Sequence, residues 1–208
     1  MNQIIQLLIF LLILLPSVIV HEVSHGWAAL KLGDPTAKLA GRLTLNPIRH
    51  LDFVGSFIVP LLLILSPAHF ALGWAKPVPY NPMQLTKDYK YGPLKVALAG
   101  PASNFLIASV TALITRIGIP FFSPGIINLL GAIVFINVLL LVFNLIPIPP
   151  LDGSKIVSAF LSPRQAIVFE QIGLMGIFVL LALLLLFPPF FGFISGITNA
   201  ITSLLIGF

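Results

Sequence analysis

The chain alternates long apolar runs with short polar connections, and the runs are long enough to set its architecture. Ile4–Leu30 is the first, interrupted only by Pro16, Ser17 and the cluster His21-Glu22-Val23-Ser24-His25. Lys31 to Asp52 is polar, basic and strand-tolerant, with turn signals at Gly33-Asp34-Pro35 and Asn46-Pro47, so a short β-hairpin is expected around residues 36–50. Phe53–Leu72 is apolar but broken by Pro60 and Ser66-Pro67. Its clean apolar core, Phe57–Leu65, falls well short of the roughly 20 residues needed to span, so a re-entrant segment is expected around 53–72. Gly73 to Lys95 is a second basic, Pro-rich connection. Apolar runs follow at about Pro93–Ile117 and Ile126–Ile146, and Pro147-Ile148-Pro149-Pro150 then ends helical structure. Gln165–Phe187 is expected to span again, and Pro188-Pro189 separates it from an apolar tail ending at Phe208. The pattern predicts an all-α polytopic membrane protein with about four to six membrane segments, folded as a single domain over residues 1–208.

Composition supports lipid as the main solvent. Of the 208 residues, 58% are apolar and only 8% are charged, and the mean hydropathy is +1.10. Soluble domains carry roughly 25% charged residues, so this chain cannot build a water-facing surface all round. The formal charge of +5 points to no nucleic acid, because the Lys and Arg residues are spread through the connections, where they orient a membrane protein. The chain has no cysteine, which excludes disulfides and thiolate metal sites. Met1 to Gln6 carries no Lys or Arg, so the basic start of a signal peptide is missing and the first run is expected to be a retained helix.

The chemistry centres on His21-Glu22-x-x-His25. On a helix, positions i and i+4 share one face about a turn apart, so both imidazoles can reach one metal ion, while Glu22 can address a water there as general base. An alternative is two satisfied histidines and a paired carboxylate on a packed face. An ionisable group near mid-bilayer costs about 2.5–3.5 kcal/mol, and this helix would hold three such groups in five residues. A divalent cation compensates for them directly. Catalytic zinc usually takes three protein ligands. The candidates for the third are Asp34, His50, Asp52, His69, Asp88, Asp152 and Glu170. Asp152 differs from the others because it directly follows an apolar run where prolines have opened the helix and Gly153 allows a turn. Irregular backbone at that depth is tolerated only when buried in protein or lining a wet cavity. Asp52 is the nearest decoy, since Leu51-Asp52 echoes Leu151-Asp152.

Three segments occur in a familiar order: His21-Glu22-Val23-Ser24-His25-Gly26, then Ala99-Gly100-Pro101-Ala102-Ser103-Asn104, then Phe143-Asn144-Leu145-Ile146-Pro147-Ile148-Pro149-Pro150-Leu151-Asp152-Gly153. Together they resemble the site-2 protease family of intramembrane zinc metalloproteases, over about Leu14 to Phe160. Gly73-Trp74-Ala75-Lys76-Pro77-Val78-Pro79 is similar to the compact bacterial and archaeal branch. The resemblance implies one zinc ion held by His21, His25 and Asp152, with Glu22 as catalytic base and Asn144 near the metal, holding substrate or the developing oxyanion. Asn104 stays outside that set, as a residue equally suited to a helix–helix hydrogen bond.

The expected activity is hydrolysis of peptide bonds in membrane-spanning or membrane-proximal protein substrates within the lipid bilayer. Two rival readings are a membrane metal transporter using the same ligands and a catalytically silent adaptor of the same fold. Glu22 speaks against the first, and the intact set of four residues against the second. For His25 and Asp152 to meet at one ion, their helices must run parallel, which requires the chain to cross the membrane an even number of times from the end of the first helix to the end of the second. Lys31, Lys38, Arg42, Arg49, Lys76, Lys87, Lys90, Lys95, Lys155 and Arg164 then share one side and Arg116 takes the other. The positive-inside rule orients such a chain as a multi-pass cell-membrane protein with its site nearer the cytoplasmic face.

Overall fold

The first helix, α1 (Gln3–Lys31), is long because its apolar residues give it no reason to stop before Lys31. Pro16 lies inside it, and beside that proline the Ser17 hydroxyl donates to the Ile13 carbonyl at 2.9 Å. In this computed structural model the described residues are 3–52 and 76–207, so the re-entrant segment expected around 53–72 lies outside them. The chain continues through α2 (Thr36–Leu39) and a 3-10 turn at Pro47–Arg49, and resumes with a 3-10 turn at Pro82–Gln84. Then follow α3 (Gly92–Gly118), α4 (Pro124–Asn144), α5 (Asp152–Ser158), α6 (Pro163–Gln171), α7 (Gly173–Leu186) and α8 (Pro188–Ile206). Helices α1, α3, α4 and α8 are each long and apolar enough to cross a membrane. The protein is a multi-pass helical membrane protein.

One expectation fails. The stretch 36–50 contains no strand, because local side chains close turns before cross-strand pairing can begin. Asp34 Oδ1 accepts the Thr36 backbone N–H at 2.9 Å and starts α2, and Asn46 Oδ1 accepts the Ile48 N–H at 3.1 Å and starts the next turn. Gln165–Phe187, expected to span, is a bent pair of helices: it divides at Ile172 into α6 and α7, which meet at 62°. The polar residues of α6 explain the break, and Gln165 Oε1 anchors its start by accepting the Ser162 backbone N–H at 3.1 Å. The tail proves to be a membrane-length helix, α8, which packs on α3 and α4.

Helix order follows from the polar pairs between helices. Ser17, His21 and His25 climb α1 while their partners descend α3, from Asn104 to Val96, so α1 and α3 are antiparallel. A tight turn then leads into α4, which packs antiparallel to α3 through Ala108, Ala112, Val134 and Val138. Thus α1 and α4 run parallel, as the meeting of their motifs requires. Close approach comes from one face of α3: Gly100, Ala108, Ala112 and Gly118 are all buried there. Without a hydrophobic drive between helices in lipid, such small residues supply the packing contact. At the His25 end the connections fold together. The His50 carbonyl accepts the Lys76 N–H at 2.8 Å and the Leu32 carbonyl accepts the Lys87 N–H at 3.1 Å.

Candidate metal centre

His21 and His25 project from α1 towards α3, where Gly100 leaves room for them. A methyl group on Gly100 would sit 2.5 Å from His25 Nε2 and 2.6 Å from His21 Cε1, so no larger residue fits while both rings stay in place. The rings stand edge to face, 4.7 Å apart at an interplanar angle of 87°. Asp152 reaches them from the first turn of α5, after the proline-rich turns that end α4. Gly153 lets this turn fold back, since a side chain there would collide with the Leu145 and Ile146 carbonyls. His21 Nε2 lies 3.1 Å and His25 Nε2 3.3 Å from Asp152 Oδ2.

These two separations are ion pairs only if the imidazoles carry Nε2 protons. His25 Nδ1 lies 2.7 Å from the Val96 carbonyl, which can only accept. In the neutral ring the proton is therefore on Nδ1, and Nε2 presents a lone pair. Asp152 Oδ2 is buried and, apart from these two nitrogens, has no hydrogen-bond partner among the described residues. Lone pairs aimed at one another in a buried space suit a shared cation. Two imidazole nitrogens and one carboxylate oxygen match the three-ligand set of catalytic zinc, so the donors fit the ion. A site this buried also favours a carboxylate among the ligands, because it halves the net charge of a divalent centre. His25 lies six residues before the end of α1, about 9 Å along the helix axis.

Glu22 stands beside the pair, its carboxylate and the two imidazole nitrogens lying within 4.8 Å of one another. A strap formed by residues 76–81 holds it. Pro77 and Pro79 carry no N–H, so Val78 has the single amide donor of that tripeptide, and it donates to Glu22 Oε2 at 2.9 Å. The strap is itself pinned on both sides. Arg42 donates to the Lys76 carbonyl at 2.6 Å, and Asp34 Oδ2 accepts the Asn81 N–H at 2.6 Å. Tyr80, within the strap, packs against Ala29, Leu85 and Val96. Burial first, with the carboxylates of Glu170, Asp152 and Asp34 adding to it, pushes its phenol up to about 12.

Four of the remaining candidates for the third ligand have partners elsewhere. Asp34 is fully buried among turn and strap donors, and His50 is buried with its Nε2 at 2.7 Å from the Thr44 carbonyl. Asp88 pairs with Lys95 at 2.6 Å and Glu170 with Lys155 at 2.8 Å. His69 lies outside the described residues. Asn144 is at the end of α4, where its amide donates to the Leu140 carbonyl at 2.9 Å. Sequence reasoning does not single out Gly100, Val78 or Asn137, and it keeps Asn104 out of the site. Asn104 Oδ1 in fact lies 2.6 Å from His21 Nδ1. A signal exists for both asparagines, since each is an amide inside an otherwise apolar helix.

Several known proteins are similar to this chain in sequence. The family model described as Peptidase family M50 matches residues 119–187, a stretch that includes Asp152. The protein named "Putative zinc metalloprotease YwhC" from Bacillus subtilis is 36% identical over 177 residues, covering 82% of this chain and 77% of that relative. "Putative zinc metalloprotease Rip2" of Mycolicibacterium smegmatis is 32% identical over 164 residues, 75% of this chain but 60% of its own length. "Zinc metalloprotease MJ0392" of Methanocaldococcus jannaschii is 27% identical over 166 residues, 38% of its length. No solved structure gives a significant match.

Proposed function

The chain belongs to peptidase family M50, the site-2 protease family of zinc metalloproteases, and we propose that it cleaves peptide bonds of membrane-spanning or membrane-proximal proteins within the bilayer. The observation that carries this reading is the convergence of His21 Nε2 and His25 Nε2 on Asp152 Oδ2, with Glu22 alongside. Zinc, when bound by His21, His25 and Asp152, supplies a Lewis acid for the scissile carbonyl and lowers the pKa of water from 15.7 towards about 7.

Glu22 is the proton carrier in this reading. Its Oε2 is fixed by the Val78 N–H, which orients the carboxylate and leaves the other oxygen to take a proton from the attacking water. The same oxygen then returns that proton to the leaving amide nitrogen. Asn144 is assigned to hold substrate or the developing oxyanion. Its amide reaches that charge by releasing the Leu140 carbonyl, which keeps a helical partner in the Asn144 backbone N–H. A substrate helix hides its own amides, so the segment to be cut must unwind before it meets Glu22.

In the proposed orientation the site faces the cytoplasm. The parallel course of α1 and α4 and the basic residues of the connections support it. Cysteines placed singly at Lys38 and Lys87 should react with an impermeant reagent from the same, cytoplasmic, face. Labelling from opposite faces would overturn the arrangement. The ligand set is tested by metal analysis of Asp152→Asn and Asp52→Asn proteins: the first should lose zinc and the second keep it, and the reverse would refute the assignment.

A further inference from the structure

The two histidines of the centre are held in different ways. His25 gives its Nδ1 proton to a backbone carbonyl, an acceptor that cannot reverse. His21 faces a side-chain amide, which can. If the Asn104 amide turned over, its NH2 would face His21 Nδ1, the ring proton would move to Nε2, and the lone pair aimed at Asp152 would be lost. Something beyond Asn104 must therefore choose its direction.

We infer that a buried relay of Asn137 and Ser17, running from backbone carbonyls of α1 and α4, fixes the Asn104 amide and through it sets the metal-binding tautomer of His21. The direction can be read from its anchors. Asn137 Nδ2 lies 2.9 Å from the Ile133 carbonyl and 3.0 Å from Ser17 Oγ. The carbonyl only accepts, and the Ser17 proton is already given to the Ile13 carbonyl at 2.9 Å, so both partners require the NH2 of Asn137 on that side. Its Oδ1 must then face Asn104, 3.0 Å from Asn104 Nδ2. The Ser17 carbonyl, at 3.4 Å, also takes only a donor from Asn104. That leaves Asn104 Oδ1 for His21, at 2.6 Å, and the ring proton on Nδ1.

Every step lies where water does not intervene. Asn104 and Asn137 are both fully buried, and Ser17 and His21 are nearly so. A flipped amide would set donor against donor at one end and acceptor against acceptor at the other, with no solvent to relieve either. The hydrogen bonds of Asn137 go to Asn104, Ser17 and Ile133, yet it decides which nitrogen of His21 carries the proton. It is a positioning residue, acting through Asn104. Partners that orient a ligating histidine typically change metal affinity by about 10–100-fold when removed. Asn137 is expected to fall in that range from one residue further out.

The inference rests on His21 being a zinc ligand, so the test separates the two. Its primary readout is the 15N spectrum of the His21 ring in metal-free, detergent-purified protein, assigned by comparison with His21→Gln. The relay predicts a protonated Nδ1 and an unprotonated Nε2, and the opposite pattern overturns it whether or not zinc binds. Chelator competition then measures zinc affinity in variants. Asn137→Leu should weaken binding about 10–100-fold and mix the His21 tautomers. Asn137→Asp, neutral in this buried setting, offers one donor and one acceptor in the same places, so it should retain affinity within about threefold. An Asn137→Leu protein with unchanged affinity, or an Asn137→Asp protein as weak as Asn137→Leu, contradicts the relay. If Asn137→Leu does not fold, the pair Asn104→Leu and Asn104→Asp makes the same contrast. Loss of zinc by the unmodified protein would instead count against the site itself.

Discussion

The two halves of α3 use one packing solution for different ends. From Gly92 to Asn104 its buried face meets α1, and a glycine and an asparagine there make room for and hold the histidines. From Ala108 to Gly118 the same face meets α4 and α8 with methyl groups, against Val134, Val138 and Ile206. The first half buries polar atoms that must each find a partner, while the second buries few, among them Thr115, whose hydroxyl bonds back to the Thr111 carbonyl at 2.8 Å. The apolar half can tolerate small shifts. In the polar half a shift of an ångström breaks a hydrogen bond or moves a ligand, so stability and function separate along one helix.

Substitutions on either side should expose this separation. The largest effect is expected from Gly100→Ala, whose methyl occupies the space of the His25 ring. Displacement of a reacting group by about 1 Å costs roughly 100-fold, so kcat/KM should fall at least that far and bound zinc should drop with it. Retained zinc and activity would show that the rings have slack the structure does not display. Next is Asp34→Asn, which weakens the anchor of the strap at Asn81 and so the hold of Val78 on Glu22. Here kcat should fall about tenfold while zinc content stays unchanged, a split that a ligand defect would not give.

Effects in the apolar half should fall on stability alone. Ala112→Leu overfills the contact between α3 and α4 and should destabilise by about 1–3 kcal/mol, seen as a lower Tm in detergent with zinc affinity intact. The smallest change is expected from Arg116→Met. The Arg116 guanidinium caps the end of α8 at the Ile206 carbonyl, 3.0 Å away, and also at the Leu204 carbonyl. Its removal should cost about 1 kcal/mol of thermal stability and leave cleavage untouched. A loss of zinc from either variant would join the two halves that the structure keeps apart.

Legibility in the sequence divides in the same way. His21, Glu22, His25 and Asp152 stand out because their spacing and their cost in lipid fit little besides a metal site. The spans over α1, α3 and α4 are legible because membrane thickness fixes their length. Asn104 and Asn137 look alike from the sequence, as amides in apolar helices, and only the crossing of helices shows that one faces a histidine and the other orients it. Gly100 reads as a packing residue until the rings are seen against it. Val78 is hidden for another reason: its role belongs to a backbone N–H, singled out by the prolines on either side. The bend at Ile172 does not show in the sequence because apolar averaging carries across one residue. The turns at 36–50 pass for a hairpin because the caps at Asp34 and Asn46 act over two residues, below the range of strand patterning.

The central claim is that the chain hydrolyses peptide bonds at a zinc centre with Glu22 as its base. Its most direct test compares unmodified and Glu22→Gln proteins for bound zinc and for cleavage of a membrane-spanning reporter in proteoliposomes. Both should carry about one zinc ion per chain, while cleavage by Glu22→Gln falls by at least about 100-fold. A Glu22→Gln protein that cleaves at the unmodified rate would contradict the account.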